Sequence, residues 1–549
     1  MTAAGGGGDD PVLAAMGTVG RWQACQSLLL SLVGVVCGWQ VLVIAFLAPP
    51  TAHWCAPPSP HWDDQQWRRE GIPDPAESAA WGCRSYVADT NSTSVRILDR
   101  NRTVPCRRWT YNTSEYDNNV VIEWDLVCDR RWLQMFAQAI YMVGIGCGVL
   151  FWGVFADRYG RRPTLLLCVM LACLSGNGCA AVNSVQLFLV FRFMIAFCGI
   201  GAYCACFVTC MEMLGDWWRV VVGIAFCMPM SLGYMTLAVL AYFVRHWRAL
   251  QVAVSLPGIL YMAYYWVVPE SPRWLLSRGR ANEAVTIMKR ARLYNKMPVL
   301  DNLLTTQGRA EPGEATPAGC RPLAADGRML ALVGCLFVCW LVNSMVFYGI
   351  LLNTGDFGDN IYMNAFLGGA VEVPAYAACI YAILRLGRRR PIALAMTVAG
   401  LSCLLTLAFD PAAWRRGWPV VCLGLLGRFG ITASFGAIYV YSAELFPTAL
   451  RNTGLAVCSV GSRFGGILAP MLQLLRDDVH PSLPVVVYGL SAVGSGLSVL
   501  LLPETAGRPL PETVADVFGD TRRSETHDTT AEQQPLDGPG TGHPERAPA

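Results

Sequence analysis

The sequence predicts an all-α integral membrane protein in which twelve transmembrane helices form two six-helix halves, with a large extracellular loop after the first helix. Composition is the first observation: 54% of the 549 residues are hydrophobic and 15% are charged, whereas soluble domains carry about 25% charged residues. Second, twelve apolar stretches reach or approach the roughly 20 residues that a helix needs to cross a bilayer core. Third, three charged motifs recur in both halves of the chain.

The twelve apolar stretches, which we call span one to span twelve, follow one another along the chain. They lie at 22–48, 132–155, 163–182, 185–206, 220–244, 250–268, 329–352, 361–384, 391–409, 418–442, 453–475 and 484–502. Span one does not fit a cleavable signal peptide, because it is too long, follows an acidic start and lacks a small-residue cleavage site. It is therefore expected to stay in the membrane.

The distribution of arginine and lysine predicts the orientation. With a cytoplasmic N-terminus, the inside loops 156–162, 207–219, 269–328, 385–390 and 443–452 carry 19 basic residues, and the short outside loops carry five. Because basic residues concentrate in cytoplasmic loops, both termini are expected to be cytoplasmic.

The segment 49–131 is then extracellular. It contains three N-x-[ST] glycosylation acceptors and four cysteines, at Asn91, Asn101 and Asn112 and at Cys55, Cys83, Cys106 and Cys128. Two disulfides are expected in an oxidising exterior, and four cysteines leave three pairings open. No metal is expected, because no C-x-x-C or C-x-x-H spacing supports a zinc site.

The repeated motifs divide the chain into two related halves. The pairs are Gly160-Arg161-Arg162 with Gly387-Arg388-Arg389, Glu212 and Arg219 with Glu444 and Arg451, and Pro269-Glu270-Ser271 with Pro503-Glu504-Thr505, at offsets of 227, 232 and 234. This predicts an N-terminal half, 21–268, and a C-terminal half, 329–518, joined by the cytoplasmic loop 269–328. Tails at 1–20 and 519–549 flank them, and the second is expected to be disordered. Such a 6+6 arrangement is typical of a transporter with a central site.

Several motifs carry a family resemblance. Gly153-x-x-x-Asp157-Arg158-x-Gly160-Arg161-Arg162 is identified as the signature of the major facilitator superfamily. Glu123-Trp124-Asp125-Leu126-Val127-Cys128, Pro269-Glu270-Ser271-Pro272-Arg273-Trp274 and Ala443-Glu444-Leu445-Phe446-Pro447-Thr448 resemble the organic ion transporters of solute carrier family 22. Val371-Glu372-Val373-Pro374 and Gly233-Tyr234-Met235 are similar to its carnitine and organic cation branch. The resemblance implies a multi-pass plasma-membrane transporter, working as a monomer, that moves small organic cations or zwitterions by alternating access.

Charged residues at the helix ends are the candidate gates. Their arginines can bind helix C-terminal carbonyls, and carboxylates across the bundle, which would latch the cytoplasmic side shut. The alternative is that they only set the topology. The candidates are Asp157, Arg158, Arg161, Arg162, Glu212, Arg219, Glu270, Arg273, Glu444, Arg451 and Glu504. Arg192 and Arg428, at the repeat offset in spans four and ten, are also assigned to gating or structure.

Two further charges inside spans are predicted to contact substrate. Glu372 and Arg463 are costly in hydrocarbon, and the corresponding first-half positions appear apolar or small in the sequence. In the resembled family, cation-selective members commonly carry Asp at the position of Arg463, whereas anion exchangers and the carnitine branch carry Arg. A Glu for an ammonium group and an Arg for a carboxylate suit a zwitterion such as carnitine. The alternative is that Glu372 and Arg463 pair with each other.

Aromatic residues complete the predicted substrate site. The resemblance implies contacts at Trp340, Phe347, Tyr203, Phe207, Phe435 and Tyr439, where rings can surround a quaternary ammonium. Each of these rings could equally be ordinary core.

Other functions remain as alternatives. An organic anion exchanger would use Arg463 and depend little on Glu372, and a receptor would bind ligand without transport. An enzyme is not expected, because the polar loops hold no nucleophile and base set. No Gly-Lys pair exists for a P-loop, and a net charge of +3 predicts no nucleic-acid partner. No cofactor is expected, and sodium coupling cannot be read from the sequence.

Overall fold

The computed structural model describes residues 16, 20–73, 82–89, 95, 97–114, 116–298, 326–352, 360–409, 418–447, 450–507, 511 and 514–518. The predicted tail 519–549, most of the tail 1–20 and the acceptor Asn91 lie outside these residues. The described part of the chain contains all twelve predicted spans as helices.

The six spans of the N-terminal half include three that are interrupted. Span one runs from Arg21–Ser31 through Val33–Leu42 to Ile44–Leu47, span two is Trp132–Tyr159, span three Arg161–Ala181 and span four Val185–Glu212. Span five consists of Asp216–Ala225 and Met228–Phe243, with Pro229 at the start of its second part. Span six continues from Trp247–Ser255 through a 3₁₀ segment, Leu256–Ala263, to Tyr264–Val267. Pro257 at the start of that segment removes a helical N–H donor.

The spans of the C-terminal half are unbroken. They are Gly327–Leu352, Ile361–Leu386, Arg389–Thr406, Trp418–Leu445, Arg451–Asp478 and Leu483–Val499, for spans seven to twelve. In the described part of the chain, ten spans are long and apolar enough to cross a membrane. The other two are span nine, which begins with two arginines, and span twelve, which has 17 residues. The helix order confirms the predicted all-α fold class for the membrane part.

The connections between several spans are shorter than predicted. Asp157 and Arg158 lie in the last turn of span two, Arg161 and Arg162 begin span three, and Gly160 alone separates the two helices. The predicted loop 156–162 is therefore wrong, as are the loop assignments of Glu212 and Glu444, which lie within the last turns of spans four and ten. Hydropathy ends at the first charged residues, but the hydrogen-bonded helix continues through them.

The loop 49–131 adds strands that the all-α prediction missed. Strand β1 (His53–Cys55) pairs antiparallel with β4 (Trp109–Tyr111), and β2 (Arg84–Ala88) pairs with β3 (Ile97–Pro105). Short helices cover Asp64–Glu70 and Val120–Trp124. The acceptors Asn101 and Asn112 are exposed.

The loop cysteines adopt one of the three possible pairings. Cys55 is joined to Cys106 and Cys83 to Cys128, with Cα–Cα distances of 5.5 and 5.6 Å. His53 Nε2 lies 3.9 Å from Cys128 Sγ. Because that sulfur is bonded to Cys83, it is not available as a thiolate ligand for a metal.

The two halves meet along two pairs of helices, span two with span eleven and span five with span eight. Near the end that carries loop 49–131, which we call the loop face, the ring of Tyr362 in span eight lies 5.7 Å from Phe46 and 5.6 Å from Tyr242 of the other half. At the opposite end, the motif face, no described atom lies within 4 Å of where a Cβ of Gly153 would stand.

The segment after span six belongs to the N-terminal half. Its helix Ala281–Tyr294 follows the short helix Pro272–Ser277. Asn295 accepts from the backbone N–H of Trp22 at 2.8 Å and donates to Gln23 Oε1 at 2.8 Å. Buried side chains of Met16, Trp22, Trp274 and Met288 form one apolar cluster beneath it. The start of span one is therefore anchored to the inter-half loop.

Candidate functional site

Glu372 lies buried in the middle of span eight and is fully bonded. Arg428 Nε and Nη2 donate to its Oε1 at 3.0 and 2.5 Å, and Ser231 Oγ of span five donates to Oε2 at 2.5 Å. The Glu372 and Arg428 side chains are 1% and 5% exposed. The prediction of an unpaired Glu372 is therefore wrong, and so is its alternative, a pair with Arg463. The serine bond also joins the two halves of the protein.

Arg192 of span four occupies the position equivalent to Arg428. It is 0% exposed and donates to Gln40 O at 3.3 Å and to Gln138 Oε1 at 3.4 Å, with its guanidinium 4.4 Å from the Tyr141 ring centroid. Gln138 precedes Glu372 by one repeat and contacts Arg192 as Glu372 contacts Arg428. The first-half counterpart of Glu372 is thus a polar glutamine, which corrects the expectation of an apolar or small residue.

Arg463 on span eleven borders span two. Its Cγ is 3.8 Å from where a Cβ of Gly146 would stand. Among the described residues, no hydrogen bond or ion pair engages its partly exposed guanidinium. Arg463 therefore presents an uncompensated positive charge near the interface of the two halves.

Four of the predicted aromatic residues form one cluster on spans seven and ten. The Trp340 ring lies 4.4 Å from Tyr439 and 6.1 Å from Phe435, and Phe435 lies 5.7 Å from Phe347. Trp340 is fully buried and donates to Ser442 Oγ at 3.0 Å, whereas Tyr439 is 38% exposed. Within this cluster a ligand can reach the ring of Tyr439, whereas the ring of Trp340 is closed off.

The two predicted aromatics of span four form a second group around a residue that the sequence did not single out. Tyr203 and Phe207 each lie 5.3 Å from the ring of Phe226, at the interruption of span five. Tyr203 Oη is 3.7 Å from Cys227 Sγ. Pro229, just after the interruption, was the available signal for Phe226.

At the motif face of the N-terminal half, Glu270 caps span three. Its carboxylate accepts from the backbone N–H groups of Arg161 and Arg162 at 3.0 and 3.2 Å, where the helix dipole favours an anion. Gly160 has φ 107°, and a Cβ there would stand 2.7 Å from Glu270 Oε2. The Arg161 side chain binds Asp157 and Glu212, both at 3.0 Å.

The C-terminal half repeats this arrangement. Glu504 accepts from the backbone N–H groups of Arg388 and Arg389 at 2.9 and 3.1 Å, and the Arg388 side chain binds Glu444 at 3.0 Å. Gly387 has φ 89° and takes the place of Gly160. The structural equivalence of the repeated motifs follows directly from these contacts.

The remaining gate candidates also contact their own half. Arg273 Nε donates to Glu212 O at 3.1 Å, Arg219 Nη2 to Leu214 O at 2.9 Å, and Arg158 lies exposed over Tyr159. Arg451 lies near Glu444. Every one of these contacts lies within one half. These contacts brace each half, and a latch across the bundle stays a prediction.

We expect Glu504→Gln to lower stability at neutral pH by about 1–3 kcal/mol, because hydrogen bonds to a charged group are lost. Burial raises the pKa of Glu504, but the N–H groups of Arg388, Ala506, Arg389 and Thr505 outweigh it and lower the pKa below its ordinary value. The contribution is thus complete above the unfolded pKa of about 4.3 and is lost as the pH falls through the folded value. Thermal unfolding of detergent-purified protein against pH would measure it.

Glu283→Gln is the control for Glu504→Gln, since Glu283 forms an exposed pair with Arg280 that is worth about 0–1 kcal/mol. Equal stability losses in the two variants would contradict the capping role of Glu504.

Comparison with known proteins agrees with the fold and the repeated motifs. A family model described as "Sugar (and other) transporter" matches residues 27–516. The chain is similar in fold to the xylose transporter XylE from E. coli in its inward open conformation, with a TM-score of 0.59 and 16% identity over 89% of this chain and 98% of that one. The fold and motifs define a transporter of the major facilitator superfamily.

Sequence identity to three further proteins is higher than the identity to XylE. The chain is 34% identical to "Organic cation transporter protein" of Drosophila melanogaster, covering 93% of this chain and 94% of the relative. It is 36% identical to "Solute carrier family 22 member 3" of Rattus norvegicus, with coverage of 92% and 95%, and 34% identical to member 13 of Homo sapiens, with coverage of 92% and 92%. The chain belongs to solute carrier family 22. It is a multi-pass membrane transporter for organic ions and not an enzyme.

Proposed function

We propose that the protein moves small organic zwitterions of the carnitine type across the plasma membrane by alternating access. The observation that carries the proposal is the contrast between two charges inside the spans, Glu372 and Arg463. Glu372 is neutralised by Arg428, whereas Arg463 has no hydrogen-bonded or ionic partner among the described residues. A carboxylate on the substrate would supply that partner, and bidentate binding to a guanidinium is strong and specific.

The ammonium end of such a substrate would lie against aromatic rings and not directly on Glu372. Tyr439 of one cluster and the Tyr203 group in the other half offer ring faces and hydroxyls for this contact. Quaternary ammonium groups bind such faces with about 0.5–2 kcal/mol each. The relatives named for organic cation transport support this half of the recognition.

Organic anion exchange is the second candidate, and the Glu372–Arg428 pair favours it. With Glu372 neutralised, Arg463 dominates the charge near the interface, and an anion needs no ammonium subsite. Transport of a plain cation is disfavoured by the same charge, because no carboxylate offsets Arg463.

Uptake into cells separates these candidates. Radiolabelled carnitine, tetraethylammonium and p-aminohippurate would be measured with and without sodium, for the wild type, Arg463→Ala and Arg463→Lys. We expect carnitine uptake to fall at least about tenfold in Arg463→Ala, the loss of one charge-assisted contact. Arg463→Lys should recover only part of it, because an ammonium cannot bind bidentately.

Arg476→Gln is the matched control, because Arg476 lies on the same span but in its last turn. Uptake of p-aminohippurate without carnitine uptake would establish the anion candidate. Tetraethylammonium uptake that is unchanged in Arg463→Ala, with no carnitine uptake, would refute both. The sodium arm tests coupling, since a net-neutral zwitterion gains nothing from the membrane potential.

A further inference from the structure

Arg192 is a buried charge without a counter-charge. Its side chain is fully buried in span four, and no carboxylate of the described residues pairs with it. Its contacts are the carbonyl of Gln40, the amide oxygen of Gln138 and the face of Tyr141, all neutral. A charged side chain inside a membrane protein is costly unless it meets an opposite charge or water.

Two donors at this position also have no acceptor. Arg192 Nε and Gln138 Nε2 are buried and make no hydrogen bond to any described residue. A guanidinium has only donors, so Gln138 must turn its oxygen towards Arg192, and its NH₂ group is left over. Arg192 and Gln138 each keep one buried N–H donor that has no acceptor. This indicates that an acceptor group is missing beside their contact.

The C-terminal half shows what the missing acceptor does. There Glu372 fills the place of Gln138, carries the negative charge and accepts from Arg428 and Ser231. The first half has the same arginine and an amide of nearly the same shape, but one negative charge fewer. The internal repeat therefore acts as a comparison within one molecule.

We propose that a small monovalent anion, such as chloride, binds beside Arg192 and Gln138 and takes the part that the Glu372 carboxylate plays in the other half. An anion compensates the charge and accepts from both leftover donors. A water molecule could accept from the donors but would leave the charge uncompensated. The site is separate from Arg463, the residue proposed to bind the substrate carboxylate.

Thermal unfolding of the detergent-purified full chain tests the proposal. Chloride would be varied against gluconate at constant ionic strength. We expect the unfolding temperature to rise with chloride and to level off, by about 2–4 °C once chloride is several times its dissociation constant. Binding of radioactive chloride to the wild type, displaced by unlabelled chloride, should approach one ion per chain.

Exchanging the equivalent residues makes the test specific. Gln138→Glu supplies a fixed carboxylate and should remove the chloride dependence, whereas Glu372→Gln recreates the amide–guanidinium pair in the other half and should add to it. Arg463→Ala should keep the wild-type dependence. The proposal is overturned if the wild type unfolds at one temperature in both salts and binds no chloride, or if Arg463→Ala abolishes the dependence. An unchanged dependence in a folded Gln138→Glu protein would overturn it equally.

Discussion

Glu372→Leu and Arg428→Met are each expected to destabilise the protein by about 3–5 kcal/mol, because each leaves one charge buried without its partner. Glu372 and Arg428 bind through two hydrogen bonds at 3.0 and 2.5 Å and are almost fully excluded from solvent. Removing Glu372 also leaves Ser231 without its acceptor and breaks a bond between the halves. Thermal unfolding in detergent and the amount of protein at the cell surface would measure the loss.

The double variant distinguishes a broken pair from a general intolerance of these positions. Glu372→Leu with Arg428→Met removes both charges, and apolar replacements of a buried pair are often neutral. We expect the double variant to be more stable than either single variant, with a coupling energy of about 1–3 kcal/mol. Additive losses would mean that the two side chains do not interact in the folded protein.

Gly465→Ala is expected to destabilise the protein by about 1–3 kcal/mol through overpacking of two helices. A Cβ at Gly465 in span eleven would stand closer than 3.0 Å to the backbone oxygen of Leu341 in span seven. A Cβ at the equivalent Gly233 of span five would likewise stand closer than 3.0 Å to Val35 O of span one. Because the obstacle is a backbone atom, no side chain can move aside, and the helices must separate. The unfolding temperature of purified protein is the readout.

Gly334→Ala is the control for Gly465→Ala, and its expected change in stability has the opposite sign. Gly334 lies on span seven, and no described atom lies within 4 Å of its Cβ position. Alanine is the better helix former by about 1 kcal/mol, so this variant should be unchanged or more stable. If Gly465→Ala were also unchanged or more stable, helix propensity and not close packing would govern Gly465.

Features that depend on the order of residues along one helix were predictable. The number of spans follows from the length of the apolar stretches. The equivalence of Glu270 and Glu504 follows from the repeat, because each binds the Gly-Arg-Arg motif of its own half. The positions of Trp340, Phe435 and Tyr439 on facing helices were implied by resemblance, and the structure brings them into one cluster. Ends of helices were misjudged, since charged residues such as Asp157 lower hydropathy without ending the helix.

The sequence did not predict which side chains of different helices bind each other. Glu372 was expected to be free or to meet Arg463, yet it binds Arg428, 56 residues away on span ten. Gln138 drew no attention among apolar neighbours, although it faces the second buried arginine. Composition, apolar length and the internal repeat by themselves determined a twelve-helix membrane protein with four charges inside its spans, and the resemblance of its motifs implied an organic ion transporter. Which of those charges neutralise each other was decided by the tertiary structure alone, because it depends on the rotation and depth at which separate helices pack.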